Sequence, residues 1–282
     1  MKENFDIFLI VMALLAAVVY AALHFFEAGY GYLFDRRYGP PVPNRVGWMV
    51  MESPVFILMC VLWASSERMW QAGPLALFCL FQAHYLQRAF IFPLLIRGKG
   101  RMPLGIVVMG MVFNALMQGG WIFYVSPADY YAGWFAQPYI YIGGALFVAG
   151  MAVNLHSDHI IRHLRRPGDT RHYIPRGGMF RYVSSANYFG ELLEWVGFAV
   201  ASWSWAGTVF AWWTSPTSHR APHRCAAATS RSSAKSFRAF AANGSSPSSI
   251  DPPKRRGSGC GWSVTTFFTR LCARRIKTAE SG

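Results

Sequence analysis

The sequence predicts an all-α protein: a polytopic membrane bundle of six to seven transmembrane helices. Only 14% of its 282 residues are charged and 53% are apolar, whereas soluble domains carry about 25% charged residues. Residues 7–26 form a run of 20 residues with no formally charged side chain, which is about the length that a helix needs to cross a bilayer. Further apolar runs follow, separated by loops that are alternately rich and poor in basic residues. Lipid is therefore the expected solvent for most of the chain.

The first apolar run is predicted to be a retained helix. A cleaved signal peptide would have an apolar core of about 7–15 residues and small residues at the cleavage site, but this run is longer and ends in His24-Phe25-Phe26. Five more runs cover approximately residues 46–66, 73–96, 102–126, 137–157 and 182–204. A seventh run begins near Ala206 and stops at Thr214, so its nine residues are too few to cross a bilayer as a helix.

Basic residues concentrate in alternate loops and predict the orientation of the bundle. The first, third and fifth loops carry Arg36, Arg37, Arg45, Arg97, Lys99, Arg101 and six arginines between residues 162 and 181. The other loops hold one basic residue, Arg68. Because basic loops stay on the cytoplasmic side, we expect the N-terminus outside and the odd-numbered loops in the cytoplasm.

Residues 215–282 differ in composition from the rest of the chain. They hold 12 of the 27 Lys and Arg residues, 2 of the 13 Asp and Glu residues, and 13 serines. Such a composition predicts a disordered segment. Since this tail carries most of the net charge of +14, the charge does not indicate a nucleic-acid partner. The five cysteines form no CxxC pair, and we predict neither a disulfide framework nor a metal site.

Several polar side chains interrupt the apolar runs and are candidates for function, because ionisable groups are costly inside a membrane. Glu52 lies near the start of the second run. In the third run, Tyr85 and Arg88 are three residues apart and share a helical face. Asn187, Glu191 and Glu194 share a face of the sixth run, with spacings of four and three residues. A structural polar network, with Arg88 neutralising a glutamate, is the alternative interpretation.

Residues 154–176, NLHSDHIIRHLRRPGDTRHYIPR, predict a nucleotide-binding segment. Arginine side chains suit phosphate groups, and Asn154 and Asp158 add polar groups that suit a nucleotide's hydroxyls. No GxGxxG motif follows a strand and no P-loop is present, so a Rossmann domain is not expected. His156 and His159 are three residues apart, but without a third ligand we interpret them as structural histidines.

The same region resembles the signature of the steroid 5α-reductase family. The elements that carry the resemblance are NLHSD, LRRPG, IPRGGMF and ANYFGELLEW, between residues 154 and 195. Weaker support comes from Glu52-Ser53-Pro54, from His84-Tyr85 with Arg88, and from Asn114 with Gln118. The resemblance covers about residues 1–214, which we take as the transmembrane domain, and is that of a bacterial-type homologue with an atypical C-terminal tail.

The resemblance implies seven helices around NADPH and a lipophilic 3-oxo-Δ4 steroid. It implies hydride transfer to C5 of the steroid and protonation at C4, with Glu52 and Tyr85 binding the 3-keto oxygen. It also implies that a group of residues contacts the cofactor: Tyr38, Asn154, Asp158, Arg165, Asn187 and Trp195. The arginines offer partners for a 2′-phosphate, which favours NADPH over NADH.

This chain departs from the family pattern at several positions. Met51 stands where the family often has Gln, and His172 stands where relatives have Tyr. The largest departure is the C-terminus, where the family continues its seventh helix and this chain has Ser215-Pro216. Our hypothesis is a reading-frame shift near Thr214, which an intact, selected frame encoding this tail would refute.

Other functions remain open from the sequence. They are a reductase of another lipid, such as an enoyl-CoA or a polyprenol; an isoprenylcysteine-type methyltransferase; and an inactive homologue. The methyltransferase pattern R-H-P-x-Y-x-G is absent, since residues 184–190 read SSANYFG. We expect a monomer in a bacterial inner membrane or an endoplasmic reticulum membrane, with membrane lipids and a steroid-like substrate as its partners.

Overall fold

The computed structural model describes residues 2–25, 38–97, 100–116, 133–164, 173, 175–183 and 185–214. The prediction for the tail 215–282 and the prediction for Arg165 lie outside these residues. Seven helices are described: α1 (Lys2–Phe25), α2 (Asn44–Ala64), α3 (Ala72–Leu95), α4 (Leu104–Leu116), α5 (Pro138–His163), α6 (Ala186–Ser202) and α7 (205–214). Short 3₁₀ turns cover Trp134–Ala136 and Gly178–Arg181.

The all-α membrane fold is confirmed. Four helices are long and apolar enough to cross a bilayer: the Asn4–Ala21 part of α1, and α2, α3 and α5. Helix α4 is apolar but has 13 described residues, and α6 has 17. The expected number of six to seven spans therefore stays a prediction.

A two-stranded ribbon joins the beginnings of α2 and α4. Strand β1 (Pro41–Pro43) pairs antiparallel with β2 (Arg101–Pro103), with Val42 opposite Met102. Each strand leads directly into a helix, and the backbone N–H of Asn44 donates to Gly100 across the junction at 3.0 Å. Proline is tolerated here because each strand has a free edge. The ribbon brings the first turns of α2 and α4 to the same level.

Helix α3 contains a π-helical segment, Gln87–Ile91. Pro93 follows it; proline has no N–H and its ring clashes with the carbonyl four residues earlier. The chain accommodates this with a wider turn, in which the N–H of Phe92 reaches the carbonyl of Gln87. Arg88 lies inside the segment and Tyr85 just before it. Both side chains are buried, which confirms their predicted inward orientation.

Helices α5 and α6 pack with their backbones in contact along two pairs of glycines, each pair spaced seven residues apart. A Cβ atom on Gly150 would lie 2.5 Å from the backbone nitrogen of Glu194, and one on Gly190 would lie 2.5 Å from that of Asn154. About two helical turns away, Gly143 and Gly197 bring the backbones of α5 and α6 equally close. Small residues permit such close packing of membrane helices, so α5 and α6 form one tight unit.

The core lies between this unit and the other helices. Phe81 of α3, Phe147 of α5 and Trp195 of α6 are at most 1% exposed. Phe210 of α7 packs against the Trp195 ring at a centroid distance of 4.5 Å. The indole N–H of Trp213 donates to the carbonyl of Met12 at 3.0 Å and links α7 to α1.

Candidate active site

Glu52 sits in the third turn of α2, facing α4. The side-chain amide of Asn114 donates to one carboxyl oxygen of Glu52 at 2.9 Å and to the carbonyl of Met51 at 2.8 Å. Asn114 is 7% exposed, so this anchor is shielded from solvent. No described residue hydrogen-bonds to the second carboxyl oxygen, which leaves that oxygen available to a ligand.

Tyr85 is 5% exposed and lies in an aromatic wall. Its ring centroid is 4.8 Å from that of Phe81, 5.0 Å from that of His84 and 5.7 Å from that of Trp195. Helix α3, which carries Tyr85, packs against α2, which carries Glu52; the side-chain amide of Gln82 donates to the carbonyl of Phe56 at 3.1 Å between these helices. The structure thus places Glu52 and Tyr85 on two adjacent helices.

Arg88 is the cationic centre of the site. One of its terminal nitrogens lies 3.4 Å from a carboxyl oxygen of Glu191, and the other lies 3.9 Å from one of Asp158. The guanidinium also lies 4.9 Å from the ring centroids of Trp48 and Phe92, within the range of a cation–π contact. Arg88 therefore connects α3 to both α5 and α6.

A second polar contact joins α3 to α6. Nδ1 of His84 lies 2.7 Å from a carboxyl oxygen of Glu194, and the two side chains are 4% and 1% exposed. The His84 ring also packs edge-on against Trp195, at a centroid distance of 4.7 Å. The inward orientation predicted for Glu191 and Glu194 is confirmed.

The end of α5 carries buried polar atoms that hydrogen-bond to none of the described residues. Asn154 donates to the backbone carbonyl of Asn187 at 3.0 Å. Beside it, Ser157 Oγ, Asp158 Oδ2 and Arg162 Nη1 are buried and hydrogen-bond to no described residue. Buried polar groups are nearly always paired. These three atoms offer an acceptor, a donor and a hydroxyl to a polar ligand.

Comparisons with known proteins identify the family. A family model described as 3-oxo-5-alpha-steroid 4-dehydrogenase matches residues 100–235. The mouse 3-oxo-5-alpha-steroid 4-dehydrogenase 1 is 42% identical over 207 residues, which cover 71% of this chain and 80% of the mouse protein. The human proteins 1 and 2 are 44% and 38% identical, each over 61% of this chain and 68% of the human protein. The chain belongs to the 3-oxo-5-alpha-steroid 4-dehydrogenase family. It is an oxidoreductase and an integral membrane protein.

The site of this 3-oxo-5-alpha-steroid 4-dehydrogenase family member contains most of the residues singled out for the cofactor. Asn154, Asp158 and Trp195 are each at most 3% exposed. Asn187 is partly buried and contributes its backbone carbonyl to Asn154. The side chain of Tyr38 is 41% exposed and its backbone carbonyl packs against Gly105 at the start of α4, and its contact with the cofactor stays a prediction.

Three features of the site were not predicted from the sequence. The first is the His84–Glu194 contact, which joins residues 110 positions apart. The second is the contact of Trp48 with Arg88. The third is the double anchor that Asn114 provides for Glu52. For the third feature the sequence offered one signal, the polar Asn114 inside an apolar run. The first two features are contacts between side chains on different helices, and such contacts leave no local signal in the sequence.

Proposed function

We propose that this protein reduces the C4=C5 double bond of a 3-oxo-Δ4 steroid with NADPH, and that Glu52 and Tyr85 bind the 3-keto oxygen. The arrangement of Glu52 carries this proposal. Asn114 holds one of its carboxyl oxygens, no described residue hydrogen-bonds to the other, and the buried Tyr85 lies on the adjacent helix α3. Two O–H groups that donate to the same ketone oxygen would stabilise a developing oxyanion.

Charge balance favours a protonated Glu52. The site holds four carboxyl groups, and three of them, Asp158, Glu191 and Glu194, lie in ion-pair contact with Arg88 or His84. Glu52 makes no such contact with a described residue, and its one polar partner among them is the neutral amide of Asn114. A buried charge without a partner is costly. In its protonated form Glu52 donates a hydrogen bond to the ketone, as does Tyr85.

The proposed reduction conserves atoms and charge. A bound NADPH supplies a hydride for C5 of the steroid. The C4=C5 electron pair moves toward the ketone, and O3 carries the negative charge of an enolate. The O–H groups of Glu52 and Tyr85 stabilise that charge. A proton from water adds at C4, the ketone is restored, and the sum is one steroid, one NADPH and one proton consumed.

The end of α5 fits the polar part of such a cofactor. Ser157, Asp158 and Arg162 present buried atoms that hydrogen-bond to no described residue, and these suit the hydroxyl and phosphate groups of a nucleotide. Asn154, Asp158, Asn187 and Trp195 would hold the cofactor against the α5–α6 unit. We also propose that this end of the bundle faces the cytoplasm, since the adjacent loop is rich in arginine.

The test is NADPH oxidation by the full-length protein in detergent, with testosterone or progesterone as substrate. We compare Glu52→Gln and Tyr85→Phe with matched controls: Glu67→Gln, which alters an exposed carboxyl, and Tyr141→Phe, whose hydroxyl donates to Phe135 far from the site. Removing one oxyanion donor should lower turnover about 100–1,000-fold.

Both controls should keep full turnover, and all four variants should bind NADPH like the wild type. Undiminished steroid turnover in Glu52→Gln and Tyr85→Phe would refute their roles. Turnover of an enoyl-CoA or a polyprenol instead of a steroid would refute the substrate class, and binding of S-adenosylmethionine instead of NADPH would refute the reaction.

A further inference from the structure

We infer that His84 and Glu194 are a positioning pair, which fixes the distance between the ketone-binding Tyr85 and the cofactor-side Trp195. This inference rests on the proposed function. The contact between the two side chains, 2.7 Å between Nδ1 and a carboxyl oxygen, is among the most buried polar contacts described, at 4% and 1% exposure.

Adjacency along the chain makes the contact relevant to the chemistry. His84 directly precedes Tyr85 on α3, and Glu194 directly precedes Trp195 on α6. The contact between His84 and Glu194 therefore sets the separation of Tyr85 and Trp195. The ring centroids of these two residues lie 5.7 Å apart. The His84 ring contacts both of those rings, so it also fills the space between them.

The contact lies at the seam between two parts of the bundle, α2 with α3 and α5 with α6, which the ion pairs of Arg88 also cross. On one side, α6 is locked to α5 by the glycine contacts at Gly150 and Gly190. On the other side, α3 is tied to α2, because the side-chain amide of Gln82 donates to the carbonyl of Phe56 at 3.1 Å and to the sulfur of Cys60 at 2.7 Å. The steroid-binding residues belong to α2 and α3, while most of the cofactor-side residues belong to α5 and α6. Movement across this seam changes the hydride-transfer distance directly.

A polar contact holds such a seam more precisely than an apolar one. The aromatic contacts across it, such as Phe81 with Trp195 at 5.6 Å between centroids, keep much of their energy when the rings slide. A hydrogen bond weakens steeply with distance and angle, and buried polar pairs are best attested as devices that fix register. His84 with Glu194 is thus suited to hold α3 and α6 at one register.

The test compares turnover, ligand binding and helix separation in five variants. His84→Leu and Glu194→Met each remove one partner, and the double variant removes both without leaving an unpaired polar group. His84→Asn keeps an amide donor close to the position of Nδ1. Trp134→Phe is the control, since it removes a buried hydrogen bond to the carbonyl of Ala201 on α6 that involves neither α2 nor α3.

We expect the double variant to fold and to bind NADPH and testosterone with Kd and KM values within about 3-fold of the wild type. Its kcat should fall about 100-fold, the loss that a misplacement of about 1 Å can cause. His84→Asn should recover most of kcat. Trp134→Phe should lower the melting temperature but leave kcat near the wild-type value, because it does not alter the seam.

A second measurement does not depend on activity. Spin labels at Leu86 on α3 and Val196 on α6, both exposed, report the helix separation by double electron–electron resonance in a chain whose native cysteines are replaced by serine. The distance distribution should be narrow in the wild type and in His84→Asn, and broader or shifted in the double variant.

An unchanged kcat and an unchanged distance distribution in the double variant would overturn the inference. A wild type that turns over no steroid, combined with a distance distribution that depends on the pair, would instead refute the proposed function and leave the positioning of α3 against α6 supported.

Discussion

Gly150→Ala is the perturbation whose magnitude follows most directly from the structure. The added Cβ would lie 2.5 Å from the backbone nitrogen of Glu194 and 2.7 Å from the carbonyl oxygen of Gly190. An ordinary contact begins near 3.4 Å, so α5 and α6 must separate by about 0.9 Å at this level. Overpacking of this kind typically costs about 1–3 kcal/mol of folding free energy.

The same movement reaches the active site. If Glu194 moves with its backbone, its 2.7 Å contact with His84 lengthens to about 3.6 Å, which is no longer a hydrogen bond. We therefore expect Gly150→Ala to lower the unfolding free energy and also to lower steroid turnover about 100-fold, as a misplacement of about 1 Å can.

Gly144→Ala provides the control on the same helix. A Cβ on Gly144 meets nothing within 4 Å, and alanine favours a helix over glycine by about 1 kcal/mol, so stability should stay equal or rise. The assays are reversible unfolding in mixed detergent micelles and NADPH oxidation with testosterone. Equal stability and equal turnover in the two variants would refute the close backbone packing of α5 against α6.

Three further predictions concern individual contacts. Asn114→Leu should lower kcat about 10–100-fold with little change in NADPH affinity, because Glu52 loses its anchor; normal turnover would show that the anchor is dispensable. Arg88→Met should destabilise the fold by about 3 kcal/mol, since it leaves the buried Asp158 and the partly buried Glu191 without their cation, and an unchanged unfolding free energy would contradict the ion-pair geometry. Trp134→Phe removes a hydrogen bond to the carbonyl of Ala201 and should cost about 1 kcal/mol without changing KM, as measured by unfolding and steady-state kinetics; a raised KM would place Trp134 in the site.

Much of the helical architecture could be predicted from the sequence because a bilayer imposes a length on every helix that crosses it. The run predicted at 73–96 corresponds to α3, Ala72–Leu95, and the run predicted at 46–66 corresponds to α2, Asn44–Ala64. The ribbon of β1 and β2 was not predicted, since three of its six residues are proline and proline argues against a strand. The π-helical segment had one signal, Pro93 inside an apolar run.

The sequence indicated which polar residues would lie in the site, but not which of their side chains would contact each other. Glu52, Arg88 and Glu194 attract notice because ionisable residues are rare in apolar runs. Which carboxyl group meets which base depends on helix packing, and residues 84 and 194 carry no sign of each other in the sequence. The spacing of seven residues between Gly143 and Gly150, and between Gly190 and Gly197, was a usable signal for that packing, because small residues at regular spacing mark close helix contacts.

Transfer of a labelled hydride tests the central claim most directly. The full-length protein is incubated with testosterone and NADPH that carries deuterium at both C4 positions of the nicotinamide, and the product is analysed by mass spectrometry and NMR. The proposed mechanism predicts one deuterium at C5 of the reduced steroid and none at C4, with product formation strongly reduced in Glu52→Gln. Deuterium at C4, or a reduced steroid without label from the cofactor, would contradict it.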